Sequence, residues 1–134
     1  MLVRLIPQQG GDGTVHRVNV INDTGSSLLT LFDTDILQLG ILEGYTGWRG
    51  EVTVRNASGT VNRYRRIRVQ FQLVRDDDSP WSNWINDYAV IKPDSQGVPR
   101  LSGCGIRRVM YLGTPPGNHL LAIATTKGGM TSLL

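Results

Sequence analysis

Glycine and proline interrupt this sequence so often that long helices have little room. The 134 residues include 16 glycines and 6 prolines, and most segments between them alternate apolar and polar side chains, as half-buried strands do. In the clearest case, segment 66–74, every second residue is apolar (Ile67, Val69, Phe71 and Leu73). The sequence therefore predicts an all-β fold class.

The length and composition fit a single domain over residues 1–134. Apolar residues make up 40% of the chain and charged residues 19%, which is ordinary for a folded domain and argues against disorder. The length leaves no room for a second lobe of similar size. Because no apolar run reaches the ~18–20 residues of a membrane span and no signal peptide is recognisable, we expect no membrane partner and a cytoplasmic location.

The sequence predicts neither a metal site nor a cofactor. Cys104 is the single cysteine, and His16 and His119 lie too far apart to form a ligand motif. The three aspartates at 76–78 lack the further oxygen ligands, at defined spacing, that a calcium loop needs. They are therefore interpreted as a solvated loop.

Two short helices are predicted within the β pattern. The first covers 33–39, where Asp33 or Thr34 would cap the first turn and Gly40 would end the helix. The second covers 105–112, where apolar residues recur on one face. Further segments are assigned to strands at 2–6, 15–21 and 119–125, and to a tail at 127–134.

One motif carries candidate chemistry, and it directly follows a predicted strand. Its residues are Asp23, Thr24, Gly25 and Ser26. The strand would deliver the Asp23 carboxylate to a strand end, Gly25 would allow a tight turn, and the Thr24 hydroxyl would tie that turn down.

Together with three later features, this motif resembles the retropepsin family of aspartic peptidases. The later features are a Leu-Gly step at 39–40, a glycine-tipped hairpin (Asn56, Ala57, Ser58 and Gly59) and the segment Leu101-Ser102-Gly103 before the second helix. The resemblance implies a closed or nearly closed β-barrel with Asp23 as the catalytic residue. It also implies that residues 24–26 support the catalytic loop and that the hairpin is a flap over the substrate.

The resemblance further implies a homodimer. Peptide hydrolysis of this type needs two carboxylates that share one proton, one to activate a water and one to polarise the carbonyl. The chain has one Asp-Thr-Gly, so a twofold axis would supply the second Asp23. The predicted function is an aspartic endopeptidase acting on polypeptides, with strands 2–6 and 119–125 near the dimer interface.

Four positions depart from the family pattern. Asn22 and Ser102 stand where apolar residues are usual, Ser27 where retroviral members carry an aspartate, and Cys104 where they carry an arginine. The joint loss of that aspartate and arginine points to a cellular or retroelement-derived branch. One alternative stays open: a catalytically inactive module of this fold that dimerises or binds peptides.

The densest positive charge lies at 63–68, which holds four arginines in a chain of net charge +3. The simpler interpretation is a solvated strand face whose charges protect a sheet edge, and a nucleic-acid partner is not expected. A second alternative is an unrelated β-barrel that binds nucleic acid through this strand.

Overall fold

The structure, a computed structural model, describes residues 1–117 and 119–134 and is mostly β. Its strands are β1 (Leu2–Arg4), β2 (Val15–Arg17), β3 (Leu29–Phe32), β4 (Trp48–Arg55), β5 (Val61–Gln72), β6 (Ile85–Lys92), β7 (Tyr111–Gly113) and β8 (Ala122–Ala124). Its helices are α1 (Asp33–Ile36), α2 (Cys104–Val109) and α3 (Lys127–Leu133). The predicted strand-rich class is therefore confirmed.

Six strands form one open sheet in the order β2–β1–β5–β6–β3, and β4 pairs with the outer half of β5. The pairs are antiparallel except β3 with β6, which is parallel. Strands β7 and β8 form a separate two-stranded sheet. Within the described residues the end strands β2 and β3 do not pair with each other, so the closed barrel implied by the resemblance is wrong.

The alternation predicted at 66–74 is confirmed on β5. Ile67 and Val69 are fully buried and Phe71 is 1% exposed, because every second side chain of a strand lies on the same face of the sheet. They pack with apolar residues of β1, β3 and β6, namely Val3, Leu29, Leu31 and Ala89. This shared face is the core of the domain.

The helices differ from their predicted bounds. Helix α1 ends at Ile36 rather than 39, and Gly40 lies beyond it with a φ of 92°. Glycine is favoured at this position because side chains with a Cβ rarely adopt such a positive φ. Helix α2 ends at Val109 because the next residues leave the helix to form β7 against β8.

The predicted tail at 127–134 is wrong, since most of it forms α3. The Thr126 side chain accepts a hydrogen bond from the Gly129 N–H at 3.0 Å, which caps the helix. Met130 is 7% exposed, and its burial offsets the poor helix propensity of Gly128 and Gly129. None of the helices in residues 1–117 and 119–134 is long and apolar enough to cross a membrane.

Strand β1 has both edges occupied within the chain. It pairs with β2 on one side and with β5 on the other. The part of the predicted strand 2–6 that forms β1 therefore has no edge left for a strand of a second chain. In the described residues β8, the strand observed within 119–125, pairs only with β7.

Candidate active site

The Asp23 carboxylate is held by its own turn. Its Oδ1 atom accepts a hydrogen bond from the Gly25 N–H at 2.8 Å, and the Asp23 carbonyl accepts one from the Ser26 N–H at 3.3 Å. A Cβ at position 25 would lie 3.3 Å from the same Oδ1 atom, so a larger residue would crowd the carboxylate. The turn itself thus orients the acidic group.

The segment 100–102 supports both arms of this turn. Ile21 donates its N–H to the Arg100 carbonyl at 2.8 Å, and Ser102 donates its N–H to the Ile21 carbonyl at 2.9 Å. On the other arm, Thr30 donates to the Leu101 carbonyl at 2.9 Å. One short segment therefore fixes the chain on either side of Asp23. The predicted strand at 15–21 is too long, since β2 ends at Arg17 and Ile21 makes only an isolated bridge to Leu101.

Two of the residues that depart from the family pattern lie side by side. The Ser102 side chain, in a residue only 2% exposed, accepts a hydrogen bond from the Asp23 N–H at 3.0 Å. Its Oγ atom also lies 3.5 Å from the Asn22 Oδ1 atom. The hydroxyl therefore gives a partly buried backbone donor a partner that an apolar side chain would not provide.

Arg107 clamps the turn from α2. Its Nη1 atom donates to the Asp23 carbonyl at 2.9 Å, and its Nη2 atom donates to the Ser26 carbonyl. At the start of the same helix, the Cys104 N–H donates to the Ser27 carbonyl at 3.2 Å. Ser27 and Cys104 are thus adjacent and joined through the backbone, while Arg107, one turn later, holds the loop.

We expect replacement of Arg107 by alanine to lower the free energy of unfolding by about 2 kcal/mol, because two carbonyls would lose charged donors. Amide hydrogen exchange at residues 23–27 should accelerate as well. Arg108→Ala is the matched control, since Arg108 is exposed on the same helix and should change stability by less than about 0.5 kcal/mol. Urea unfolding measures both, and equal effects would contradict the clamp.

Sequence reasoning missed Arg107 and assigned the anchoring role to Thr24. Thr24 is exposed, and its hydroxyl has no hydrogen-bond partner in the described part of the chain. Ser26 makes a local contact instead, donating its hydroxyl to the Leu28 carbonyl at 2.8 Å. No local signal marks Arg107, because it lies 84 residues from Asp23 in sequence.

A second carboxylate, that of Asp87, lies buried beneath the supporting segment. Asp87 is 4% exposed, and its burial raises the pKa of the carboxyl group above its usual range. It accepts hydrogen bonds from the Tyr88 N–H at 2.8 Å and the Gly105 N–H at 3.3 Å. Cβ atoms at Gly103 and Gly105 would lie within 2.7 Å of the Asp87 side chain, so both glycines are needed where α2 begins.

The second Asp-Thr pair, at 33–34, belongs to a structural network. The Asp33 Oδ1 atom accepts a hydrogen bond from the Thr34 N–H in the first turn of α1 at 2.8 Å. The neighbouring Asp35, 2% exposed, accepts one from the N–H of Phe32, the residue before the helix, at 2.8 Å. Its oxygens also accept two hydrogen bonds from Arg100, at 2.7 and 2.8 Å. A His16 ring nitrogen lies 2.9 Å from the same carboxylate.

Burial acts to raise the pKa of Asp35, but its hydrogen-bond partners outweigh burial. The Arg100 hydrogen bonds contribute most to the opposite effect, followed by those of the Phe32 N–H and His16, so the pKa lies below its usual range. Asp35 is therefore a buried anion in a satisfied site, and its role is structural.

The predicted flap residues form the exposed tip of the β4–β5 hairpin. All four tip residues are exposed: Asn56, Ala57, Ser58 and Gly59. The Asn56 carbonyl accepts from the Gly59 N–H at 3.0 Å, and the Asn56 Oδ1 atom accepts from the Ser58 hydroxyl at 2.7 Å. Gly59 has a φ of 85°, so glycine is favoured there. The tip thus keeps its shape through its own contacts.

Comparison with known proteins finds no match for this chain among family models, curated proteins or solved structures. The residues around Asp23 and their contacts are therefore the basis for a functional proposal.

Proposed function

We propose that this chain is one half of an aspartic endopeptidase, with Asp23 as its catalytic residue. One observation carries the proposal: the Asp23 carboxylate stands on a turn that is held by Gly25, Ser102 and Arg107. Holding a reactive group in a fixed orientation lowers the entropic cost of reaching the transition state. Three separate residues hold this one short turn in place, which favours a catalytic role for the turn over that of an ordinary solvent-exposed loop.

The chemistry requires a second copy of the same turn. Across a twofold axis the two Asp23 carboxylates would share one proton, since two like charges at close range disfavour double ionisation. The ionised member would take a proton from a water molecule as that water attacks the scissile carbonyl carbon. The protonated member would donate its proton to the carbonyl oxygen, which gives a tetrahedral diol. The first member, now carrying the proton from water, would pass it to the amine nitrogen as the C–N bond breaks, while the second member takes back a proton from a diol hydroxyl.

The surface around Asp23 is compatible with such a pairing. Thr24, Gly25 and Ser27 are exposed, so the tip of the turn is open to a partner. The hairpin tip at 56–59 would then lie over an extended substrate and contact its main chain, a mode of recognition that reads backbone rather than side chains.

The test is cleavage of an unstructured protein mixture as a function of enzyme concentration, with sedimentation run in parallel. We expect specific activity to rise with concentration as monomers assemble, because each monomer supplies half of the dyad. Activity that is linear in concentration under conditions where only monomer sediments would contradict the shared dyad. A dimer without cleavage at any pH between about 3 and 7 would favour the inactive dimerisation or peptide-binding module.

A further inference from the structure

Three guanidinium groups converge on one face of the main sheet. They belong to Arg49, Arg66 and Arg68, referred to here as the arginine cluster. With its amide oxygen turned toward them, Gln9 accepts hydrogen bonds from Arg49 at 3.3 Å and from Arg68 at 3.2 Å. Arg66 donates to the Arg49 carbonyl at 3.4 Å. The three positive groups thus share a small area.

The arginine cluster has no ion-pair partner among the described residues. The ion pairs found in residues 1–117 and 119–134 use other basic groups, namely His16, Arg17, Arg63 and Arg100. The buried Nε–H of Arg66 has no acceptor in the same part of the chain. The hydrogen bonds of these guanidinium groups therefore go to neutral carbonyl and amide oxygens, although guanidinium groups usually bind anions. Some of their N–H donors remain without an acceptor.

A row of aromatic and polar side chains extends from the cluster across the sheet. Arg66 and Arg68 lie over the Tyr88 ring, at 5.3 and 5.7 Å from its centre. Two residues further along β5, the Gln70 side chain accepts a hydrogen bond from Arg4 on β1 at 2.9 Å and donates one to Asn86 on β6 at 3.0 Å.

At the far end of the row, Arg4 stacks over Trp84 at 4.0 Å. The row lies on the outer face of the sheet, because Arg66 and Arg68 alternate with the buried Ile67 and Val69.

The four arginines of segment 63–68 lie close together in the sequence but make different contacts in the folded chain. Arg63 pairs with Glu51 at 2.9 Å, and Arg65 stacks over Trp48 at 3.8 Å. Arg66 and Arg68 instead join Arg49, which lies outside the run. The interpretation of 63–68 as one solvated face therefore does not describe Arg66 and Arg68.

We propose that this face binds single-stranded nucleic acid, with the arginine cluster on backbone phosphates. Guanidinium groups match phosphate oxygens in charge and in hydrogen-bond geometry. When one face of a planar guanidinium group covers an aromatic ring, its other face is available to stack on a base. Sheet surfaces that bind single-stranded nucleic acid hold unpaired bases by stacking of this kind. An acidic peptide would use the charge but not the stacking surfaces. The proposal is independent of the peptidase activity.

The test is fluorescence anisotropy with a labelled oligothymidylate of about 15 nucleotides, near the upper end of known single-strand site sizes. Titrations are repeated at salt concentrations from about 50 to 200 mM. A plot of log affinity against log salt concentration should have a slope of about −0.7 for each phosphate that the protein contacts. In R66Q/R68Q we expect at least a tenfold loss of affinity and a salt slope reduced by about 1.4. R66K/R68K should retain the slope and lose affinity several-fold, since lysine keeps the charge and not the planar stacking surface.

The double variant Arg55→Gln with Arg108→Gln removes the same charge from exposed positions and should change affinity by less than about twofold. Thermal unfolding of every variant checks that the sheet is intact. Absence of binding at about 50 mM salt, or equal losses in the two glutamine variants, would overturn the proposal. Equal affinity for an oligoglutamate of matched length, or tighter binding of duplex DNA than of the single strand, would also overturn it.

Discussion

Replacement of Asp23 by asparagine is expected to abolish peptide cleavage while leaving the fold intact. Asparagine retains an oxygen that can accept the Gly25 N–H bond, so the turn should keep its shape. It cannot take a proton from water or share one with a second carboxylate, and removal of one member of a catalytic unit typically removes nearly all of its rate enhancement. We expect at least a 10³-fold fall in kcat/KM for peptide hydrolysis.

Asp33→Asn is the control for this loss. Asp33 is exposed at the start of α1 and belongs to the other Asp-Thr pair, so its replacement should leave cleavage within about twofold of wild type. Assembly is compared by sedimentation for wild type and both variants. If Asp23→Asn cleaves peptides at the wild-type rate, Asp23 is not the catalytic residue.

Loss of the Asp35 carboxylate is expected to cause the largest stability change of any acidic residue described here. In Asp35→Ala, Arg100 would lose two charge-assisted hydrogen bonds and the Phe32 N–H would lose its acceptor. Removing one partner of a buried ion pair costs ~3–5 kcal/mol. Because the Arg100 side chain is 24% exposed and water can reach it, we expect a loss near 3 kcal/mol, at the lower end of that range.

Glu51→Ala provides the comparison, since Glu51 pairs with Arg63 on the surface and their side chains are 50% and 72% exposed. Such pairs contribute ~0–1 kcal/mol. Urea unfolding at neutral pH measures both variants. If Asp35→Ala lowers the free energy of unfolding by less than about 1 kcal/mol, the Asp35–Arg100 pair contributes no more than a surface ion pair. That result would contradict a structural role for the network.

The acid dependence of stability offers a second readout on Asp35. Because its pKa is lower in the folded chain than in the unfolded chain, its contribution is complete above the unfolded pKa and is lost as pH falls through the folded pKa. Wild type should therefore lose more stability than Asp35→Ala as the solution is acidified below about pH 4, the usual pKa of an aspartate. Parallel curves for the two proteins would contradict this assignment.

Local patterns in the sequence were sufficient for the elements whose structure depends on near neighbours. The alternation at 67–71 predicts a buried strand face, because a side chain's face within a strand depends only on its position. The turn at 23–26 is also local, since the Gly25 N–H and the Asp23 carboxylate that bind each other are two residues apart. The order of the strands in the sheet could not be predicted in this way. Strand β5 pairs with both β1 and β6, and no pattern within β5 selects those neighbours.

Only the tertiary structure decided how the candidate site is held and whether the sheet closes. Ser102 and Arg107 reach the Asp23 turn across 79 and 84 residues of chain, and nothing near them in sequence marks that contact. Helix α3 was predicted as a tail because its two glycines disfavour a helix, yet burial of Met130 outweighs that preference. The sequence by itself determined that the chain is rich in strands and that a turn follows Asp23, because those depend on local geometry. Long-range packing decided the open sheet, the anchors of Asp23 and the grouping of Arg49 with Arg66 and Arg68, because each depends on residues that only folding brings together.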